Sequence, residues 1–206
     1  MNNEKNIREP KQKRSIQMKE KILDTAITLF CEKGYYNTTT NEIAKIAEIS
    51  IGSLYSYFVD KDTILMGLLE RYNQHFLTVF EEMETEINAQ LYQSDKHKWL
   101  RCLVENLIQL HRSEQEFAKE LNILYYAKAE VAAMVDKQSE IVRTSILDIF
   151  IQNRKDIKGN DLEAASVVVL DFVSALVDRI VFKDNIVNEE RTINAGIDML
   201  YAYLMR

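Results

Sequence analysis

One proline, Pro10, and five glycines are all the helix-breaking residues in a chain of 206. Proline removes a backbone donor and glycine raises the entropic cost of order, so a chain this poor in both lacks the punctuation that sheets and tight turns need. Long, nearly uninterrupted helices are what it can build. Apolar residues recur at three-to-four spacing along most of its length, and no useful stretch alternates with the period of a strand. The sequence therefore predicts an all-α protein of about nine helices. No apolar run approaches the roughly 20 residues that span a bilayer, and the start is too polar for a secretory signal, so a cytoplasmic protein is expected. Cys31 and Cys102 lie in apolar helical stretches and read as reduced core thiols.

Net charge is −6, but its distribution is uneven. Residues 1–61 carry a net +2 and the remainder a net −8, and seven of the basic residues fall between Lys5 and Lys21. A basic front on an acidic body is the asymmetry of a chain whose small N-terminal region meets a polyanion. Residues 1–15 read as a flexible basic arm.

Local signals divide the rest. Ile22, Leu23, Ala26, Ile27 and Phe30 give an amphipathic helix over 16–33, stopped by Gly34. Thr39 and Glu42 have capping-box spacing and start a second helix near Thr40. Ser50 caps a third over 51–57, and Asp60 a fourth beginning at Lys61. In the fourth, Leu65, Leu68, Tyr72, Phe76, Val79, Met83, Ile87 and Leu91 keep one stripe for about seven turns. EEMETE (81–86) reads as a solvated face. Further helices are expected over 98–112, 114–135, 137–154, 161–183 and 188–205, with a loop at Gly159.

The stretch TTTNEIAKIAEISIGSLYSYF (38–58) needs its own explanation, because its two helices are very short. Two such helices joined by a tight turn make a helix-turn-helix, with the N-terminal end of the second entering the major groove of DNA. Gly52 then lets the backbone approach the duplex, and Ile51 and Ser53 project from the same turn toward base edges and thymine methyls. Leu54 and Phe58 point back into the small domain. Tyr55 and Tyr57 carry hydroxyls on stiff arms suited to phosphate oxygens, or they are simply half-buried packing residues. Thr40 and Lys61 occupy helix N-termini, where an anion is favoured.

With these residues in place, 22–65 resembles the DNA-binding region of the TetR family of bacterial transcriptional regulators. The shared pattern is a first helix ending in glycine and an aromatic, then Thr-Thr, Ile-Ala, Ser-x-Gly-x-Leu-Tyr-x-x-Phe and a lysine opening the fourth helix. The resemblance implies phosphate contacts from Thr40, Ser53, Tyr55, Tyr57 and Lys61, and groove contacts from Asn41, Ile51 and Gly52. It divides the chain into the arm, a helix-turn-helix domain over 16–60 and a ligand-binding and dimerisation domain over 61–206. A homodimer is implied through the helices of about 161–183 and 188–205, which would bring two recognition helices to a palindromic operator. Their apolar faces include Val168, Phe172 and Leu176, then Ile193, Ile197, Leu200 and Leu204; some of these must instead close the monomer. One departure is Glu48, at a turn position usually held by glycine.

An inducer pocket is expected between the fourth helix and the helices of 98–183, with Phe76, Phe80, Trp99, Leu103, Leu107, Phe117, Leu121, Tyr125, Tyr126 and Phe172 as its candidates. Few charges fall on these inward stripes, so a hydrophobic or amphipathic small molecule is the expected ligand, and the resemblance implies that it releases a repressor from operator DNA. Enzymatic motifs are missing: no phosphate-binding glycine loop, no nucleophile elbow, and no His/Cys cluster with metal-ligand spacing, His75 and His111 being scattered. Neither a catalytic residue nor a metal or cofactor is expected. The competing reading is a helical module that grips protein rather than DNA.

Overall fold

The computed structural model describes residues 8–83, 85–184 and 186–206, with side chains from residue 13 onward. The described residues form ten helices: α1 (Arg8–Lys33), α2 (Thr40–Ile46), α3 (Ile51–Tyr55), α4 (Lys61–Met83), α5 (Glu86–Ser94), α6 (Lys96–Ser113), α7 (Gln115–Ala127), α8 (Ala129–Gln152), α9 (Leu162–Phe182) and α10 (Glu189–Leu204).

Three boundaries differ from the sequence reading. First, α1 begins at Arg8 rather than 16, so residues 8–15 of the expected arm are helical, while residues 1–7 lie outside the described range. Pro10 is tolerated there because the first-turn amides have no intrahelical acceptor anyway. Second, the long fourth helix ends at Met83, and Thr85 caps α5 by accepting from the Asn88 amide. The apolar stripe continues across this break, but Ile87 beyond it is 78% exposed. Third, the break expected at residue 136 is absent and falls at Lys128 instead, whose backbone is extended (φ −136°, ψ 115°), so residues 129–135 of the helix expected over 114–135 run on into the one expected over 137–154.

Two apolar cores share α4. The first packs α1, α2 and α3 around Phe30, Ile43 and Leu54, and takes in Leu65, Leu68 and Leu69 of α4, Phe117, Leu121 and Leu124 of α7, and Val131 at the start of α8. The second packs α5, α6, the later part of α8, α9 and α10 around Trp99, Val104, Ile108, Val177 and Ile197. On α10, Gly196 lies under Leu176 of α9 so closely that an added Cβ would come within 2.5 Å of the leucine Cδ2. The chain end is pinned to the loop after α8, where the Lys158 amide donates to the Leu204 carbonyl at 2.6 Å and the Arg206 amide to the Asp156 carbonyl at 2.9 Å. No helix among the described residues is long and apolar enough to cross a membrane.

Candidate functional site

The helix-turn-helix is built from its caps. Thr39 and Glu42 form a reciprocal capping box at the start of α2, and the Ser50 hydroxyl accepts from the Ser53 amide at 3.0 Å to start α3. Between them the chain turns through Glu48, which takes the left-handed conformation (φ 53°). The Glu48 amide donates to the Lys45 carbonyl at 3.2 Å and the Ile49 amide to the Ala44 carbonyl at 3.0 Å. These are the two bonds of a Schellman motif, which normally recruits glycine at this position. The Glu48 side chain is exposed and lies 4.0 Å from the Lys21 ammonium on α1.

Leu54 and Phe58 are buried beneath α3, as their spacing implies, while Asn41, Ile51, Gly52 and Tyr55 are exposed. Thr40, Ser53 and Tyr57 are half-buried. A Cβ on Gly52 would meet nothing nearer than the Ser50 hydroxyl at 4.0 Å, so the space beside it is open for an incoming surface. Tyr57 packs partly against the first core, whereas the Tyr55 hydroxyl hydrogen bonds with Thr40 at 3.1 Å and stays accessible.

Lys61, a residue expected to meet a phosphate, turns its side chain inward. Its ammonium donates inward to the carbonyls of Tyr35 (2.7 Å) and Thr38 (2.8 Å) and lies 4.1 Å from the centre of the Tyr35 ring. Burial lowers its pKa below the ordinary lysine value. What it leaves for an anion is the backbone amide at the first turn of α4.

Around Tyr35 is a node that local signals along the chain do not foretell. The Tyr35 hydroxyl donates to Asp62, and Asp62 pairs with Lys128 at 2.7 Å. The Tyr35 amide donates to Glu120 of α7 at 2.6 Å. Hydrogen bonding from Lys128, then from Tyr35, holds the Asp62 carboxyl below its usual pKa, while burial, aided by Asp62, pushes the Tyr35 phenol up. Asp62 is in the first turn of α4 and Lys128 is the residue that opens α8, so the two helices are tied together at the head. The glycine–aromatic pair at 34–35 was a usable signal; Lys128 had none, since it is neither a breaker nor a side-chain cap.

Further along, α4 and α8 separate around a cavity of about 300 Å³, closed by α5, α6, α9 and the chain end. Phe76, Phe80, Trp99, Leu103 and Leu107 line it. The other five candidates do not. Phe117 and Leu121 belong to the first core, because the break at Lys128 frees α7 to lie on α1. Tyr126 is 86% exposed, Tyr125 bonds outward to Asp136 at 2.8 Å, and Phe172 packs against the second core from outside the cavity. Tyr92, His111, Gln138 and Phe150 line it without having been foreseen. His75 does not meet His111: it pairs with Glu114 at 2.8 Å, whereas His111 bonds the Leu107 carbonyl at 2.8 Å.

Residues 22–67 match the family model for bacterial regulatory proteins of the tetR family, and residues 77–205 match the tetracyclin repressor-like C-terminal domain. YuxN of Bacillus subtilis, an HTH-type transcriptional regulator, is 32% identical over 127 residues, 60% of this chain and 43% of that protein. The HTH-type negative transcriptional regulator IcaR of the biofilm operon icaADBC in Staphylococcus aureus (strain Newman) is 55% identical over 47 residues, 23% of this chain and 25% of IcaR. The matches thus span less than half the length of these relatives. Salmonella enterica GusR shares the fold across 97% of this chain and 99% of its own, with a TM-score of 0.73 at 18% identity. With its second model alone covering more than half of the residues, the chain belongs to the tetR family of DNA-binding bacterial transcriptional regulators.

Proposed function

We propose that this regulator is a repressor that binds a palindromic operator as a homodimer in the cytoplasm and is released by an apolar small molecule held between α4 and α8. One observation carries the reading: the two helices that flank the cavity are the two whose N-termini meet at the Asp62–Lys128 pair under the head. A molecule that wedges them apart changes the geometry at that pair, and with it the Tyr35–Thr38 loop that Lys61 and Glu120 hold beside α2. By linkage, such a ligand binds the DNA complex less tightly than the free protein.

On the DNA side, Asn41, Ile51 and Gly52 enter the major groove, and Thr40, Ser53, Tyr55, Tyr57 and the amide of Lys61 meet phosphates. An apolar Ile51 favours readout through thymine methyls and duplex shape over bidentate hydrogen bonds. Dimerisation is supported by the outward faces of α9 and α10. Ile193, Ile197, Leu200 and Leu204 close the monomer, as do Ala165 and Leu176, but Val167, Val168, Met199 and Tyr203 remain exposed on the same two helices. A two-fold pair through those faces would present two α3 helices to half-sites roughly 34–36 Å apart or further. The name of IcaR as a negative regulator favours repression.

The test is an electrophoretic shift with an inverted repeat taken from the DNA beside the gene. Binding that weakens steeply with salt is expected. Indifference to every duplex at low ionic strength, or salt-insensitive capture of a protein instead, would overturn the proposal.

A further inference from the structure

Among the described residues, the wall of the cavity carries no lysine, arginine, aspartate or glutamate. An ionised ligand group inside it would be desolvated without a counter-charge. At the His111 end the charges that act from outside are carboxylates, Asp178 on His111 and Tyr72 and Glu114 on Tyr72, whereas Asp156 beside Tyr92 is paired with Lys96, whose ammonium lies 5.1 Å from the centre of the Tyr92 ring. An anion is therefore least welcome at the His111 end.

In the wall, His111 has unused hydrogen-bonding capacity. Nδ1 of His111 lies 2.8 Å from the Leu107 carbonyl. A carbonyl only accepts, so this nitrogen carries the proton and Nε2 is left as an acceptor, with no donor to it among the described residues. Burial depresses the His111 pKa, which keeps the ring uncharged. Tyr92 is 6% exposed, and its hydroxyl, which makes no well-formed hydrogen bond, has the Asp156 carboxylate as the acceptor beside it. Its ring meets the edge of Trp99 at a centroid distance of 5.2 Å. From Trp99 to His111, α6 rises about 18 Å along the wall, so the two polar groups mark opposite ends of an elongated apolar space.

Resting on the reading of this cavity as the ligand site, we infer that it takes an uncharged, elongated aliphatic molecule whose hydroxyl donates to Nε2 of His111, and that it rejects the corresponding carboxylate.

Trp99 is the only tryptophan in the chain, so its emission reports occupancy of the cavity. Three probes separate the chemistry: 1-decanol, decyl methyl ether, which keeps the oxygen but lacks the donor, and decanoate at about pH 8, where it is ionised. The alcohol should bind at least ~10-fold more tightly than either of the others, the effect of one hydrogen bond to a buried acceptor. His111→Phe should erase the advantage of the alcohol over the ether while leaving the ether's affinity within about twofold, and Tyr92→Phe should leave the alcohol-to-ether ratio unchanged. The inference falls if decanoate binds as tightly as the alcohol, if alcohol and ether bind equally to the unaltered protein, or if no probe changes Trp99 emission. Operator release is scored separately by the shift assay. A cavity saturated with alcohol but without effect on DNA would sink the repressor switch and leave the ligand chemistry standing.

Discussion

The core under the helix-turn-helix and the core of the large domain are made of the same residue types, yet they are packed for different tasks. In the first, Phe30, Ile43, Leu54, Ile64 and Leu65 are fully enclosed, and α7 and the start of α8 are sealed against the head. In the second, aromatic and aliphatic side chains surround about 300 Å³ of space, and several of them are only half-buried. A close-packed interior transmits displacement, whereas a hollow one can absorb a guest. The contrast separates a rigid unit that must present α3 in one geometry from a deformable unit that must change shape.

The sharpest way to break that contrast is to remove equal volume from each side. Leu54→Ala in the closed core should cost about 3–4 kcal/mol, because nothing can collapse into the space. Leu103→Ala on the cavity wall should cost less than about 1.5 kcal/mol, since the space beside it is already empty and only part of its surface is buried. Urea unfolding of both variants decides the matter. Equal losses would mean that the cavity is not a cavity in solution.

Next in size is Lys61→Met. Two carbonyls lose a charged donor, so stability should fall by about 2 kcal/mol and duplex binding should weaken as the Tyr35–Thr38 loop loosens. The slope of log affinity against log salt should nevertheless stay unchanged. If the slope fell by about 1, the ammonium would be neutralising a phosphate, and the inward bonds would not survive on DNA.

The head was legible because its rules are local. Gly34, Thr39, Glu42, Ser50 and Asp60 each mark a boundary through bonds to residues only a few positions away, and all five act there. The break at Lys128 had no such marker. It is fixed by Asp62 and the Tyr35 ring, far off in sequence, and so it could not be read from residues 114–135. That one break moved Phe117 and Leu121 from the expected pocket to the head. The candidates on α4 and α6 line the cavity because their stripes continue through unbroken helices. His111 and Tyr92 were missed because periodicity marks apolar faces and is silent about which polar group will be turned into them.

Acid should probe the junction between the two regions. Asp62 has a depressed folded-state pKa, so its contribution is fully present above the ordinary carboxylate range near ~4 and is lost as pH falls through the lower folded value. Its side chain is 55% exposed, so solvent screening limits the pair with Lys128 to less than about 1 kcal/mol. Asp62→Asn and Lys128→Met should each lose about that much at neutral pH, and the gap from the unaltered protein should close in acid. Lys128→Met should also keep Trp99-reported ligand binding while weakening the effect of ligand on DNA. Full retention of that effect would show that α4 and α8 communicate with the head by another route.

The smallest expected effect has the opposite sign. Glu48 holds a left-handed backbone that a side chain disfavours by about 1–2 kcal/mol, and glycine would remove that penalty at the cost of a more disordered unfolded chain. The only ion pair Glu48 makes among the described residues is a long, exposed approach to Lys21, which contributes little. Glu48→Gly should therefore raise stability by about 0.5–1 kcal/mol, seen as a higher urea midpoint at constant slope. Glu48→Asn should fall between the two, because asparagine accepts this conformation more readily than glutamate. The order Gly, Asn, Glu would identify backbone strain as the cause. If Asn instead matched Gly, the lost charge rather than the backbone would be responsible, and the turn of an otherwise closed head would carry no strain at all.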